Sequence, residues 1–298
     1  MKITKLFRMC NMMILFLFLL AGCSLSQEEF QVVSLNIRYN NPGDGINIWE
    51  ARIPIIQAYF HKNVPDIIGM QEVNYKQLLD LQKMLPEYAY VGTGRDDGKQ
   101  RGEHSPVFYR KDKFKLIDHS QFWLSETPDV PGSKSWDASI TRIVTWAKLE
   151  SLKTGKIFFC FNTHFDHRGI EARKESVWLM SEKISEIAGD DPIMVTGDFN
   201  IGKRPGNADN SLYDNLINTF RNKNSLNSSE FLSATRDTGD GGTVNGFRPE
   251  WRERMSYVID YIFVSDHFTV QTYRVDNKME GDVFISDHWP VVSVVNLN

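Results

Sequence analysis

The sequence predicts an α/β fold whose sheets mix parallel and antiparallel strands beneath covering helices. Two observations predict it. Short apolar runs alternate with helical stretches early in the chain, whereas strand-like runs follow one another directly in the middle and near the end. A doubly wound parallel sheet would keep alternating throughout. No repeat, low-complexity tract or Pro/Gly/Ser linker divides the 298 residues, so one large domain is expected.

The elements read as follows. Residues 31–36 (QVVSLN) form a strand, and residues 49–60 have helical spacing despite Pro54. Residues 66–70 (DIIGM) make a short buried strand, with a helix over 75–85. Further strands are expected at 88–91, 107–109, 143–149 and 156–162. A charged helix covers 170–187, and a strand at 193–195 runs into a turn. The last strands are 257–264, 268–273 and 291–295. Loops at 40–46, 92–105, 126–139 and 202–210 are long, and long loops on a rigid frame commonly carry binding and catalysis.

Residues 1–22 stand apart from this fold. Lys2, Lys5 and Arg8 precede an unbroken apolar run over residues 12–21. Such a run is shorter than the roughly 20 residues that cross a bilayer and suits the hydrophobic core of a signal peptide. It ends at Leu20-Ala21-Gly22-Cys23, which resembles the bacterial lipobox. The expectation is therefore a lipoprotein acylated at Cys23, with residues 23–29 as a short tether and 30–298 as the catalytic domain. The mature protein would be anchored in a bacterial cell envelope, at the outer membrane or the surface. Losing residues 1–22 moves the formal charge from −4 to −7, because three basic and no acidic residues depart. An acidic chain does not hold a polyanion by bulk charge, which argues against tight nucleic-acid binding. After Cys10 leaves with the signal and Cys23 is acylated, only Cys160 remains, inside the apolar run IFFCF, where a buried strand residue is expected.

Polar residues collect at the ends of the apolar strands. Asn36 closes the first and Glu72 follows the second. His164, Asp166 and His167 follow IFFCF, while Asp198 and Asn200 follow IMV. Asp260 sits in an apolar strand, and Asp287 and His288 precede VVSVV. Ligands of open α/β folds bind just beyond strand ends, so these segments can converge on one cleft. Any one such Asp or Asn is readily explained as a turn or helix cap. Six on one chain, two of them bearing His, are not. Carboxylates and amides suit a hard cation such as Mg²⁺, with Glu72, Asp287 and Asn36 as suitable donors. A zinc pattern, a Gly-x-Ser-x-Gly elbow, a phosphate-binding Walker loop and a dinucleotide fingerprint are all absent from the sequence.

The ordered set SLNIR, GMQE, the Glu of RGEHSPVFYR, the Arg of TRIVTW, NTHFDH, TGDFN, IDYIF and SDHWP resembles the endonuclease/exonuclease/phosphatase superfamily over residues 30–298. The resemblance implies a four-layered, DNase I-like α/β sandwich of two packed mixed β-sheets flanked by helices. It implies that Glu72 binds the catalytic Mg²⁺ (Mn²⁺ as an alternative), assisted by Asn36 and Asp287. Asp198 and Asn200 would orient or deprotonate the attacking water, or Asp198 would serve the leaving group. His288, held by Asp260, would stabilise the phosphoryl transition state or act as base. His164 would pair with Glu103, and Arg142 would contact a phosphate. Residues 94–98, 122–125 and 136–138, together with Asp166, His167 and Arg173, are similar to one bacterial subgroup and are expected at the rim of the cleft. Of these, Asp166 and His167 are expected to touch substrate, while Phe122 and Trp123 have core packing as the alternative.

Three functions are open at this point. The first is hydrolysis of a small phosphoester: a phosphorylated sugar, inositol or lipid headgroup. The second is a secreted DNase I-like nuclease with nucleic acid as substrate only, and the third is a non-catalytic lipoprotein binding module. The acidic charge and the anchor favour the first.

Overall fold

The computed structural model describes residues 28–203, 209–239, 242–248, 257–277 and 281–298, so the signal segment and Cys23 lie outside the described residues. In chain order the elements are β1 (Glu28–Asn36), α1 (Trp49–Asn63), β2 (Ile67–Gln71), α2 (Tyr75–Met84), β3 (Tyr88–Val91) and β4 (Val107–Arg110). Next come β5 (Phe114–Trp123), β6 (Ile143–Ser151), β7 (Ile157–His164), α3 (Ile170–Ala188), β8 (Ile193–Asp198) and α4 (Ser211–Asn224). Last are β9 (Asn227–Ser228), the single turn α5 (Ser229–Leu232), β10 (Thr235–Asp237), β11 (Asp260–Val264), β12 (Phe268–Val275) and β13 (Val291–Leu297).

Among the described residues the strands form two mixed sheets, ordered β10-β12-β13-β1-β2-β4-β3 and β5-β6-β7-β8-β11-β9. Their inner faces pack together. The period of two sorts each strand: Phe158, Cys160, Met194, Ile262 and Val264 join a core shared with the first sheet and with Trp49, Ile56 and Leu81 of α1 and α2. Their neighbours Phe159, Phe161, Val195 and Phe263 face the other way, onto Val177, Met180 and Ile184 of α3 and Leu216 and Phe220 of α4. The result is two packed mixed sheets flanked by helices. Cys160 is buried in the inner core, as its sequence context predicts.

Toward one end of the inter-sheet layer the packing becomes polar. Gln71 donates to Asn162 Oδ1 at 2.7 Å, Thr196 Oγ1 donates to the same oxygen at 3.0 Å, and the Gly197 N–H donates to Ser34 Oγ at 3.1 Å. The sheets approach closely there because residue 69 lacks a side chain: a Cβ on Gly69 would stand 1.9 Å from Thr196 Oγ1. Hydrogen bonding makes this buried polar seam affordable, since an unpaired polar group there would cost about 1–3 kcal/mol.

The structure differs from the sequence expectation in identifiable places. The strand expected from residue 257 begins at Asp260; ahead of it the carbonyls of Tyr257 and Ile259 accept from Thr243 N and Phe199 N. Strand β5 was not expected: its middle is polar and exposed on this sheet edge, with a register shift between Leu116 and Asp118. It ends in Phe122 and Trp123, which are buried. Helix α4 was also unexpected; its polar sequence buries only Leu216, Thr219 and Phe220. No helix among the described residues is long and apolar enough to cross a membrane.

Candidate active site

The site is built at the ends of β1, β2, β7, β8 and β11. Strands β7 and β8 are parallel with His164 opposite Asp198, and β11 runs antiparallel with Asp260 opposite Asp198. Three strands therefore deliver His164, Asp198 and Asp260 side by side, each two or four residues beyond an inward-facing apolar or polar core position. The intervening Phe165 and Phe199 turn to the outer core and meet edge-to-face with centroids 4.8 Å apart. That contact, worth roughly 0.5–1.5 kcal/mol beyond burial, pins both site segments from beneath.

Asn36 carries the first sheet into the site. Its amide nitrogen donates to Glu72 Oε1 at 3.1 Å and to Asp198 Oδ2 at 3.0 Å, while its oxygen accepts the Arg38 N–H. In this arrangement Asn36 bridges Glu72 to Asp198 across the two sheets, so its help to a metal comes through positioning Glu72. Glu72 Oε2 accepts from the Tyr39 N–H at 3.1 Å. Arg38, Glu72 and Asn200 follow the ends of their strands with φ of 58°, 62° and 50°. Left-handed backbone is uncommon for non-glycine residues and concentrates where surrounding structure enforces a functional geometry. Part of that enforcement is visible. Buried Arg52 donates to the carbonyls of Ile37, Arg38 and Asn47, and the α2 cap residue Gln77 donates to Arg38 O at 2.8 Å.

The Asp260 carboxylate accepts from His288 Nδ1 at 2.9 Å and from the Thr243 hydroxyl. Burial alone would push the His288 imidazole down, but the charges of Asp260, Asp198 and Asp287 outweigh it and hold the ring well above the usual histidine value. His288 is thus an imidazolium with Nε2 3.9 Å from Asp198 Oδ2. Burial, reinforced by the Asp260 charge, pushes the Asp198 carboxyl up to about 7. His164 behaves oppositely. Burial and then the nearby Arg142 push it well below the ordinary value, and its Nε2 accepts from the Asn200 amide at 3.1 Å. Neutral His164 therefore carries its proton on Nδ1.

Two groupings could hold a cation. Asp198, Asp260 and His288 bring ligand atoms within 4.8 Å of one another. In that trio the Asp260 carboxylate already accepts from His288 Nδ1 and the Thr243 hydroxyl. Glu72 and Asp287 fit a hard cation better. Among the described residues each Glu72 oxygen accepts a single bond, and Asp287 Oδ2 has only Arg38 Nε at 3.8 Å. Burial raises the Asp287 carboxyl, with the Glu72 charge adding to the effect, so a cation would relieve both.

Two expectations are corrected. Glu103 does not reach His164; Arg95 grips it with bonds of 2.6 and 3.2 Å, and His164 Nδ1 is buried without a hydrogen-bond partner among the described residues. Asp166 is not free to touch substrate. Its oxygens accept from Ser139 N and Oγ, Ile140 N, Arg168 N and Gly169 N, at distances of 2.7–3.3 Å. It organises the two loops that meet there. Arg142 is 4% exposed, as buried as His164 and His288, and it donates through Nη2 to His167 Nδ1 at 3.1 Å. His167 itself is exposed, where a rim residue should be. Sequence reasoning missed Thr243 and Arg52 entirely, for each works through main-chain or second-partner contacts that leave no local pattern. Arg95 carried a signal, the GRDDG segment at the rim.

Two packed mixed sheets with a carboxylate–histidine cleft at their shared strand ends define a DNase I-like α/β sandwich. The chain belongs to the endonuclease/exonuclease/phosphatase family, whose description matches residues 33–288. It is similar to an endonuclease/exonuclease/phosphatase from Bacteroides vulgatus, 38% identical with a TM-score of 0.83, covering 91% of this chain and 100% of that one. It is also similar to a mannosyl-6-phosphatase of Bacteroides thetaiotaomicron, 39% identical with a TM-score of 0.81, covering 89% and 99%. An uncharacterized protein of Acanthamoeba polyphaga mimivirus is 30% identical over 89% of this chain and 99% of its own length.

Proposed function

We propose that this protein hydrolyses the phosphoester of a small phosphorylated sugar, inositol or lipid headgroup by in-line attack of water, with Mg²⁺ or Mn²⁺ held at Glu72 and Asp287. The observation that carries the reading is the side-by-side register of His164, Asp198 and Asp260, with the His288 imidazolium against Asp260. The bound cation supplies Lewis-acid polarisation of a phosphoryl oxygen. Asp198 orients water and accepts its proton; a carboxyl raised to about 7 is matched to proton transfer near neutrality. Asn200 fixes Asp198 through its N–H to Oδ1 at 2.9 Å. His288, locked by Asp260, turns Nε2–H toward charge developing on phosphorus, and neutral His164 adds a polar wall.

The mannosyl-6-phosphatase relative and the acidic mature chain favour a small substrate over nucleic acid. Residues 24–298 assayed with Mg²⁺ or Mn²⁺ on sugar phosphates, inositol phosphates, bis-p-nitrophenyl phosphate and plasmid DNA test this choice. Sugar or inositol phosphates are expected to turn over fastest. Rapid plasmid nicking would install the nuclease in their place, and no turnover with no metal response would leave the binding module. We further propose that acylated Cys23 anchors the mature protein in a bacterial envelope. Labelled fatty acid should enter the wild-type protein and not Cys23→Ser; equal labelling refutes the anchor.

A further inference from the structure

Arg142 and His167 meet in a way that fixes a proton. An arginine nitrogen can only donate, so the 3.1 Å contact from Arg142 Nη2 makes His167 Nδ1 the acceptor. The proton of neutral His167 then resides on Nε2. Ser139 Oγ, whose proton goes to Asp166 Oδ2 at 2.7 Å, could only accept from the ring, and at 3.5 Å it is the weaker contact beside the 3.1 Å bond from Arg142. The ring stays neutral for a reason independent of the tautomer: burial and then the Arg142 charge both lower it. Asp166 clamps the loop beneath through Arg168 N and Gly169 N, and the Arg173 guanidinium donates to its carbonyl at 2.9 Å. An exposed ring on so fixed a loop, within electrostatic reach of His164, is a pre-oriented N–H donor at the mouth of the cleft.

We propose that His167 is a substrate-recognition residue that donates Nε2–H to a non-bridging phosphoryl oxygen, and that Arg142 is a positioning residue that fixes the His167 tautomer from behind. This rests on the phosphoesterase reading, and it assigns the phosphate contact to a neutral donor where the sequence pointed to the arginine. The guanidinium of Arg142 keeps Nε and Nη1 buried without hydrogen-bond partners among the described residues, with Asp166 Oδ2 at 3.8 Å from Nε and the charges of Glu103 and Asp198 also acting on it. Two buried N–H groups without acceptors are costly, and a phosphate held by His167 would bring anionic oxygens toward them.

The test uses the two amides that mimic one imidazole nitrogen each. His167→Asn keeps the acceptor for Arg142 and loses the outer donor, whereas His167→Gln keeps the outer donor. His167→Asn should raise both KM for the phosphoester and Ki for inorganic phosphate by about tenfold or more, with the loss concentrated in KM. His167→Gln should recover most of that loss. Arg142→Met should weaken phosphate similarly on its own but add less than about twofold to His167→Asn. Nitrogen-15 spectra of histidine-labelled protein should show the Nε2–H tautomer at His167, shifted by inorganic phosphate and replaced by a mixture in Arg142→Met. Equal losses in the Asn and Gln variants, multiplying effects of Arg142→Met and His167→Asn, or an Nδ1–H tautomer would each overturn the proposal. The phosphate titration needs no turnover: a His167 shift in a protein that hydrolyses nothing would sustain this inference and end the hydrolase reading. A fully active enzyme whose His167 ignores phosphate would do the reverse.

Discussion

Gly69→Ala should disable the enzyme by forcing its two sheets apart. The added methyl carbon would lie 1.9 Å from Thr196 Oγ1, 2.7 Å from Thr196 Cβ and 2.8 Å from Asn162 Oδ1, all parts of the buried seam. Ordinary contact needs more than 3.4 Å, so relief at Thr196 Oγ1 demands a shift of about 1.5 Å or the loss of the Thr196–Asn162 bond. Overpacking of this kind costs typically 1–3 kcal/mol, and a lost buried hydrogen bond adds about 1 kcal/mol, giving roughly 2–4 kcal/mol together. For a domain of this size that is a fall in Tm of about 4–16 °C. Activity should fall further than stability, because the 3.0 Å bond from Asn36 to Asp198 spans the same gap two residues along each strand. Urea unfolding and steady-state kinetics measure the two effects. Thr196→Ala removes the closest clashing atom, so a double-mutant cycle should show strong coupling, the second substitution hurting less in the Gly69→Ala background. A Gly69→Ala protein within 1 kcal/mol of wild type by this measure, or additive behaviour in the cycle, would refute the close-approach reasoning.

Other consequences are equally direct. Asp198→Ala and His288→Ala should each abolish turnover while circular dichroism stays native; near-normal rates in either would break the site assignment. Asp260→Asn should lower kcat by about 10²–10⁴-fold with little change in KM, since His288 loses the partner that keeps it charged, and a progress-curve assay reads this at once. Glu72→Gln should raise the divalent-ion concentration for half-maximal activity by about tenfold or more, which an ion titration reports. Burial would raise the Asp166 carboxyl, yet the N–H groups of Gly169 and Arg168 and the Ser139 hydroxyl hold it well below the ordinary range. A depressed carboxyl contributes stability that is fully present above its unfolded value, about 3.9, and is lost as pH falls through the folded value. Acid unfolding should therefore steepen below about pH 4 in the wild type, and Asp166→Asn should flatten that limb.

Much of the site was legible because a strand's period is rigid. Once residues 156–162 and 193–195 read as strands, their polar continuations His164, Asp198 and Asn200 had to emerge at one end. Asp260 could be placed the same way. What the sequence hid depends on partner choice. Glu103 and His164 are competent partners, but the turn that pairs Arg95 N with Glu103 O at 3.0 Å puts the arginine on the carboxylate first. Asp166 looked like a contact for substrate because an extended segment would put it on the same face as His164, two positions away; here five donors from two loops consume it. Strand β5 escaped because an edge strand with Lys115, Asp118, His119 and Ser120 exposed carries no apolar alternation. Helix α4 was readable in retrospect, for Leu212, Leu216 and Phe220 recur every four residues along its buried side.

The bridge from Asn36 to Asp198 also decides when hydrolysis can begin during folding. Glu72 hangs from one sheet and Asp198 from the other, and neither half owns a complete set of reacting groups. A chain with one sheet assembled and the other still forming is chemically inert, however native its own strands are. Catalytic competence thus requires the two sheets to be docked, and turnover becomes a direct gauge of that docking. A version cut in the turn between β4 and β5 and expressed as two fragments would stay silent until the pieces found each other, which suits this scaffold to reporting association.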